Sequence, residues 1–256
     1  MATDRLKGDQ LIVRWLDNSL TRPYAAEHAN PNVVRIIQQI KNSSHQMLKC
    51  YEFGCGAGAL GQALLRTQIV ERFAGCDTSQ EACQLAQNNG LDVENTTCEV
   101  VVSSMPRASF QDFNLFVYAD VLEHLVDPWV HLKELNNKIT PGSWIVVSIP
   151  CFFHHSNLSS IGRMDFEYEE WGVMDITHLR HYGLKNIVSL LKLTGFYISE
   201  EIPIMPSFDP EGIQLYNESK ERLPVQLKFG DMEMTIRDHQ HLLQVCAYQF
   251  IVAARK

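Results

Sequence analysis

The chain has 256 residues, of which 45% are hydrophobic, and it carries a formal net charge of −8. This size and composition suit one large α/β domain, or one domain with an added cap. The sequence contains no run of ~18 apolar residues that would predict a membrane-spanning helix, and its negative charge argues against duplex nucleic acid as the main partner.

Seven cysteines are scattered along the chain without Cys-x-x-Cys spacing. Their number is odd and several lie in apolar runs, so we expect reduced core residues rather than disulfides or a zinc site. The first ten residues, MATDRLKGDQ, lack the basic and apolar regions of a signal peptide. We therefore expect a cytoplasmic protein.

The first 45 residues predict an N-terminal helical cap. The segment LIVRWLDNSL (11–20) is amphipathic, and PNVVRIIQQIKN (31–42) places its Val and Ile residues largely on one face. Pro31 stands in the first turn of the second helix, where no backbone N–H is needed.

From residue 46 onward, strand and helix patterns alternate. Buried strands are predicted at 47–53, 72–77, 98–103, 113–119, 143–150, 195–204 and 247–254. The helices between them require parallel crossovers, which indicates a doubly wound α/β fold with a mostly parallel, seven-stranded sheet. We expect this domain to cover residues 46–256, with insertions at 151–182 and 205–241.

Two capping patterns mark where helices begin. Thr78 and Glu81 have the spacing of a capping box, in which a hydroxyl and a carboxylate satisfy free amides reciprocally. Asp127 followed by Pro128 offers an N-cap and a proline at the first helical position.

The carboxyl ends of the strands are the expected ligand-binding edge of such a sheet. The first strand ends in Glu52 and the glycine-rich residues 54–58, and the second ends in Asp77. A G-x-G-x-x-G pattern over 56–61 is shared with nicotinamide and flavin enzymes, and Asp77 suits the ribose hydroxyls of any adenosine. Glu52 is unfavourable beside a pyrophosphate but favourable beside an ammonium or a sulfonium, so it favours S-adenosylmethionine.

Several motifs, taken in order, resemble the class I S-adenosylmethionine-dependent methyltransferases. They are EFGCGAG (52–58), GCD (75–77), DVLEHLVDP (120–128), TPG (140–142), IP (149–150) and TGF (194–196). The most similar group is the bacterial small-molecule and glycan branch, which includes ubiquinone-type O-methyltransferases. Within it, WGVMDITHLRHY (171–182) resembles a segment associated with saccharide modification.

The resemblance implies that S-adenosylmethionine binds and that S-adenosylhomocysteine is the product. It assigns Glu52, Gly54, Cys55, Gly56 and Gly58 to the methionine part, Asp77 and Thr78 to the ribose, and Ala119 and Asp120 to the surroundings of the sulfonium. The family commonly has an acidic residue for the adenine after the third strand. Here Ser103 and Ser104 stand at the predicted position.

A hydroxyl acceptor needs a base to remove its proton, and histidine suits this role near neutral pH. We expect His154 or His178 to act as the base. The other residues expected at the acceptor are His124, His155, Arg163, Tyr168, Trp171 and His181. Glu123 and His124 are also compatible with organising their loop or binding a divalent metal, but no second ligand cluster has a persuasive spacing, so we predict no metal.

The leading hypothesis is methylation of a hydroxyl on a small-molecule or saccharide acceptor. A small-molecule N-methyltransferase and a transfer-RNA (tRNA) nucleoside methyltransferase stay open as alternatives. So do a binding protein without turnover and a nicotinamide oxidoreductase. The sequence predicts neither the methylated atom nor the oligomeric state.

Overall fold

The computed structural model describes residues 29–44 and 46–256. Its helices are α1 (Pro31–Ser44), α2 (Ala59–Arg66), α3 (Gln80–Asn88), α4 (Cys98–Ser104), α5 (Arg107–Phe110), α6 (Pro128–Lys138), α7 (His155–Gly162), α8 (Leu184–Leu193), α9 (Pro210–Ser219) and α10 (His239–Cys246). Its strands are β1 (Leu48–Phe53), β2 (Val70–Asp77), β3 (Asp92–Asn95), β4 (Leu115–Ala119), β5 (Trp144–Pro150), β6 (Tyr197–Ile198), β7 (Met205–Phe208), β8 (Val225–Phe229), β9 (Met232–Ile236) and β10 (Ala247–Arg255). The predicted helix at 11–20 lies outside the described residues, whereas the one beginning at Pro31 is confirmed as α1.

Eight strands form one sheet in the order β3-β2-β1-β4-β5-β10-β6, with β7 beside β10. Neighbouring strands from β3 to β5 run parallel, and β6 is antiparallel to β10. The mostly parallel α/β sheet is therefore confirmed. The expected number of seven strands is wrong, because the region predicted as one strand at 195–204 contains the short β6 and is followed by β7.

The described chain packs into two units. The sheet unit comprises residues 29–149, Leu184–Ser207 and Gln249–Lys256. The hairpin unit comprises Pro150–Gly183 and Phe208–Tyr248, and we name it after the antiparallel pair β8 and β9. Each unit has a hydrophobic cluster of its own. Within the described residues, no helix has both the length and the apolar character needed to cross a bilayer.

The central strands of the sheet unit are buried along nearly their whole length. Every residue of β5 is buried, as are five of the six residues of β1. Since successive side chains of a strand point to opposite faces, such runs mean that both faces of the sheet are covered. Phe53 of β1 stacks on Tyr118 of β4 with ring centroids 4.5 Å apart, which fixes the two strands whose ends carry the candidate site.

The prediction of a third strand at 98–103 is wrong. These residues form α4, because Thr97 caps the helix by accepting a hydrogen bond from the amide of Val100. The third strand is instead the polar segment Asp92–Asn95, which pairs in parallel with β2. The β-branched run that favoured a strand lies on a helix, so local capping has overridden residue propensity.

The two predicted helix starts have different outcomes. Asp127 caps α6 as expected, with its carboxylate accepting from the amide of Val130 at 3.0 Å. The cap of α3 is Ser79 rather than Thr78, since the Ser79 hydroxyl accepts from the amide of Ala82 at 3.2 Å. The difference arises because Asp77 binds the Ser79 amide and holds residue 79 at the start of the helix.

The hairpin unit gives structure to the long segments that the sequence indicated as insertions. Its cluster of buried apolar residues consists of Leu158, Phe229, Ile236, Leu242, Val245 and Cys246. These residues come from α7, β8, β9 and α10, so the two stretches of chain in this unit share one core.

Candidate active site

Asp77 joins the ends of β1 and β2 at the carboxyl edge of the sheet. Its Oδ2 accepts a hydrogen bond from the amide of Gly56 at 2.8 Å, and its Oδ1 accepts from the amide of Ser79 at 2.8 Å. The residue is only 6% exposed. Parallel pairing of β1 with β2 brings these groups together, and the carboxylate then holds the glycine-rich loop at a fixed position.

The glycines of the loop are required for two different reasons. Gly54 and Gly56 have φ angles of 66° and 53°, a region that side chains disfavour, and they form the turn that leaves β1. A Cβ atom on Gly61 would lie 2.6 Å from the ring of Phe73, and one on Gly58 would lie 2.2 Å from Leu91. Gly58, whose φ of 80° is also positive, and Gly61 therefore allow α2 to pack closely. Gly54 and Gly56 shape the edge of the site.

Glu52 is the most unusual group at this edge. Its side chain is 3% exposed, and its Oε2 has no hydrogen-bond partner among the described residues. Burial raises the pKa of this carboxyl well above its ordinary value, and the neighbouring charge of Asp77 raises it further. A buried acid beside a second acid has a strong preference for a cation.

Asp120 follows β4 and is held in a strained conformation. Its φ is 57°, which is uncommon for a residue other than glycine. Its amide donates to the carbonyl of Ser148 at 2.9 Å, and its Oδ1 accepts from the Gln249 amide at 3.0 Å. The Gln249 carbonyl in turn accepts from Asn30, just before α1, at 2.8 Å. Ser148 and Gln249 were missed in the sequence, because Gln249 lies 129 residues from Asp120.

Ser103 and Ser104 do not follow the third strand, so the placement on which their adenine assignment depended is wrong. They end helix α4, where both hydroxyls donate to the carbonyl of Val100. The residue that ends β3 is Asn95, and its side-chain amide donates to the carbonyls of Asp77 and Thr78 at 3.1 and 3.0 Å. Ala119 is confirmed as the last residue of β4.

The glycine-rich loop after Glu52 lies within residues 51–147, and so do Asp77 and Asp120. This range matches the family model described as a methyltransferase domain. Residues 51–147 form a methyltransferase domain, and the proteins to which this chain is similar support the class I S-adenosylmethionine-dependent kind. The cofactor of this family is S-adenosylmethionine, which decides between the two adenosine cofactors that the glycine pattern had left open.

Curated relatives of this methyltransferase domain are ubiquinone biosynthesis O-methyltransferases. The one from Hydrogenovibrio crunogenus is 24% identical over 143 residues, covering 55% of this chain and 57% of that protein. The one from Actinobacillus pleuropneumoniae is 28% identical over 133 residues, covering 49% of this chain and 55% of that protein. The chain thus spans about half the length of the curated relatives it matches.

Solved methyltransferases share the fold over most of the chain. An S-adenosylmethionine-dependent methyltransferase from Thermotoga maritima, described as a possible histamine N-methyltransferase, has a TM-score of 0.55 and 12% identity, covering 96% of this chain and 98% of that one. The plantazolicin methyltransferase BpumL, solved in complex with SAH, has a TM-score of 0.52 and 16% identity, covering 97% and 89%. At these identities the likeness establishes the fold.

The residues of the site fit S-adenosylmethionine. The unpartnered Oε2 of buried Glu52 suits the ammonium of the methionine part. A carboxylate has about four acceptor positions, so Asp77 keeps capacity for the ribose hydroxyls after accepting from Gly56 and Ser79. The negative charge of a diphosphate would be disfavoured beside two buried acids. The predicted cofactor, S-adenosylmethionine, thus agrees with the family and with the two buried carboxylates of the site.

The remaining candidates, except His124, lie in the hairpin unit of the methyltransferase. His178 belongs to a tight turn in which Asp175 Oδ1 accepts from the amide and the hydroxyl of Thr177, at 2.8 and 2.6 Å. The Nδ1 atom of His178 lies 3.0 Å from the carbonyl oxygen of Val173. Since a carbonyl can only accept, Nδ1 carries the proton and Nε2 carries the lone pair that a general base needs.

His154 and His155 lie at the start of α7, next to Asp209 at the start of α9. Burial, together with the adjacent His155, lowers the pKa of His154 to about 4, so its imidazole is neutral at physiological pH. The sequence predicted both histidines at the acceptor. It gave no signal for Asp209, because the aspartate comes from the other chain segment of the hairpin unit.

The other predicted acceptor residues are more accessible. The Tyr168 and Trp171 side chains are 50% and 65% exposed. Arg163 follows α7 and donates to the Ser160 hydroxyl at 3.4 Å, and the His181 ring lies 5.1 Å from that of Phe152. His124 ends a short 3-10 turn of the sheet unit.

Proposed function

We propose that this protein transfers the methyl group of S-adenosylmethionine to a hydroxyl group of a small-molecule or saccharide acceptor in the cytoplasm. The family supports the methyl transfer, and the names of the curated relatives support an oxygen acceptor. Seven free, buried cysteines support a reducing compartment. The net charge of −8 supports an acceptor other than duplex nucleic acid.

The observation that carries the proposal is the buried, unpartnered Oε2 of Glu52 beside Asp77 and the glycine-rich loop. When bound, S-adenosylmethionine supplies an electrophilic methyl group on a sulfonium. Glu52 would bind the ammonium, Asp77 would bind the ribose hydroxyls, and the main chain at Gly54 and Gly56 would border the methionine part. The strained Asp120, held by Gln249, would lie near the reacting groups.

We propose His178 as the general base that removes the acceptor proton. The support is its tautomer, which leaves Nε2 as a proton acceptor, and the turn around Asp175, which orients the ring. His154 is less suited to this role because its side chain is 2% exposed. Exposed Tyr168 and Trp171 offer ring faces on which a sugar can stack.

The test begins with titration calorimetry of the full chain with S-adenosylhomocysteine and with NAD. We expect binding of the first and no binding of the second, and the reverse would refute the proposal. Methyl transfer is then measured by mass spectrometry across phenols, sugar nucleotides, amines and tRNA. Product from amines or tRNA alone would replace the O-methyltransferase proposal, and binding without product would favour a non-catalytic role.

The base assignment is tested with His178→Gln. Loss of a general base typically costs about 10²- to 10⁴-fold in rate, so kcat should fall in that range while the Kd for S-adenosylhomocysteine stays the same. His239→Gln, at an exposed histidine of the same unit, is the matched control and should keep the full rate. Equal rates for the two variants would show that His178 is not the base.

A further inference from the structure

Two histidines and one aspartate converge in the hairpin unit, apart from the residues that the proposed methyl transfer uses. His154 caps the start of α7 and His155 is its first residue. Asp209 caps α9, where its Oδ1 accepts from the amide of Gly212 at 2.7 Å. Two helix starts from two separate chain segments therefore bring three possible metal ligands to one point.

The distances between these groups are long for hydrogen bonds. The Nε2 atoms of His154 and His155 lie 3.4 and 3.5 Å from Asp209 Oδ1. Both Nε2 atoms are buried, and neither has a hydrogen-bond partner among the described residues. The two histidine side chains are only 2% and 13% exposed. Two buried imidazole nitrogens thus face one carboxylate oxygen without being satisfied by it.

The same distances fit the edges of a metal coordination tetrahedron. For Zn²⁺ with bonds of about 2.0–2.1 Å to nitrogen and oxygen, two ligand atoms of a tetrahedron lie about 3.3–3.4 Å apart. An octahedral ion with similar bonds needs about 2.9 Å. We propose that His154, His155 and Asp209 form a binding site for one zinc ion, or a similar tetrahedral divalent transition metal.

The surrounding contacts orient the proposed ligands. The Nδ1 atom of His154 lies 2.8 Å from the Ser156 hydroxyl, and a proton donated from Nδ1 leaves the lone pair of Nε2 for the metal. The Gly212 amide holds the Asp209 carboxylate. Such hydrogen bonds behind the ligands are a usual feature of protein metal sites, because they fix ring orientation and tautomer.

One of the proposed ligands borders a groove. His155 lines this groove, which has a volume of about 290 Å³, together with Glu211 and Lys228. Three protein ligands leave the fourth position of a tetrahedral ion for a water molecule or an oxygen atom of a bound ligand. Because the histidines and Asp209 come from different segments, the metal would also crosslink the two stretches of chain that build this unit.

The site is tested by metal titration of the full chain after chelator treatment. We expect one equivalent of Zn²⁺ to bind with a rise in Tm, and Co²⁺ to give the visible bands of a tetrahedral nitrogen and oxygen site. Asp209→Asn keeps an oxygen for the helix cap but removes the charged ligand, and His155→Asn removes a nitrogen. Each variant should weaken Zn²⁺ binding by ~10-fold or more and lose the thermal shift.

The control is His241→Asn, which alters a half-exposed histidine 3.2 Å from Asp238 in the same unit. This variant should bind Zn²⁺ like the wild type, since an exposed pair is not preorganised. The proposal is overturned if the wild type binds no stoichiometric Zn²⁺. It is equally overturned if Asp209→Asn and His155→Asn bind as tightly as the control, or if the Co²⁺ spectrum shows thiolate charge transfer.

Discussion

Replacing Glu52 by glutamine should have opposite effects on stability and on cofactor binding. Burial and the charge of Asp77 raise the pKa of Glu52 in the folded chain, so ionising this carboxyl destabilises the folded state. The stability it contributes is present below its unfolded pKa of about 4.3 and is lost as the pH rises through the folded pKa. Glu52→Gln removes this penalty, and its stabilising effect should grow with pH above about 4.3.

The effect on ligand binding has the opposite sign. Glu52 has a buried, unpartnered oxygen available to the ammonium group that S-adenosylmethionine and S-adenosylhomocysteine both carry. A hydrogen bond to a charged group contributes about 1.5–3 kcal/mol, and a tenfold change in affinity corresponds to about 1.4 kcal/mol. The variant should therefore bind S-adenosylhomocysteine about 10- to 100-fold more weakly. Wild-type affinity should increase with pH as Glu52 ionises, and that dependence should disappear in the variant.

Thermal denaturation of the free chain and titration calorimetry, each at several pH values, measure the two effects. Glu94→Gln is the matched control, because Glu94 is an exposed glutamate on strand β3 of the same sheet. The Tm and Kd of this variant should equal those of the wild type. A lower Tm for Glu52→Gln at high pH would show that the carboxylate is satisfied within the protein. An unchanged Kd would place the ammonium elsewhere.

Two further substitutions separate cofactor binding from packing. Asp77→Asn should weaken S-adenosylhomocysteine binding by ~10-fold or more and destabilise the chain by about 1–3 kcal/mol, because one amide side chain cannot accept from both Gly56 and Ser79. The control is Asp92→Asn, which alters an exposed aspartate. Equal affinities of the two variants in calorimetric titrations would contradict the assignment of Asp77 to the ribose. Gly61→Ala should cost about 1–3 kcal/mol by overpacking, since the new Cβ would meet the Phe73 ring at 2.6 Å. In urea denaturation the added substitution Phe73→Leu should recover part of this loss, and no recovery would mean that the helix backbone carries the strain.

The sheet could be predicted largely because its strands are apolar runs separated by helices of crossover length. The exception was the third strand, where the polar β3 has only one buried residue. Next to it, the valine-rich α4 has a strand-like composition and is held as a helix by the Thr97 cap and by tertiary packing. Edge strands such as β3 bury little, so their sequence contains a weak periodic signal.

The cofactor side of the site was also accessible from sequence, because each strand of a parallel sheet delivers its last residue to the same edge. The order of the strands was enough to predict that this edge carries Glu52, Asp77 and Asp120. Gln249 reaches Asp120 across 129 residues, and Asp209 meets His154 only because the starts of α7 and α9 lie close together in the hairpin unit. Contacts between segments so distant in sequence leave no local pattern, and the same limitation applies to the acceptor residues.

Glu52 lies where folding alone would not favour an acid. Its carboxylate is buried beside that of Asp77, whose charge raises the pKa of Glu52, and its Oε2 has no hydrogen-bond partner among the described residues. A core selected for stability alone would replace Glu52 with an apolar or amide side chain. Its presence in the strand is therefore best explained by a ligand that brings positive charge and takes part in the folded structure. We therefore expect the stability of the chain to increase markedly on binding the cofactor, and the buried Glu52 carboxylate to lower the stability of the free protein.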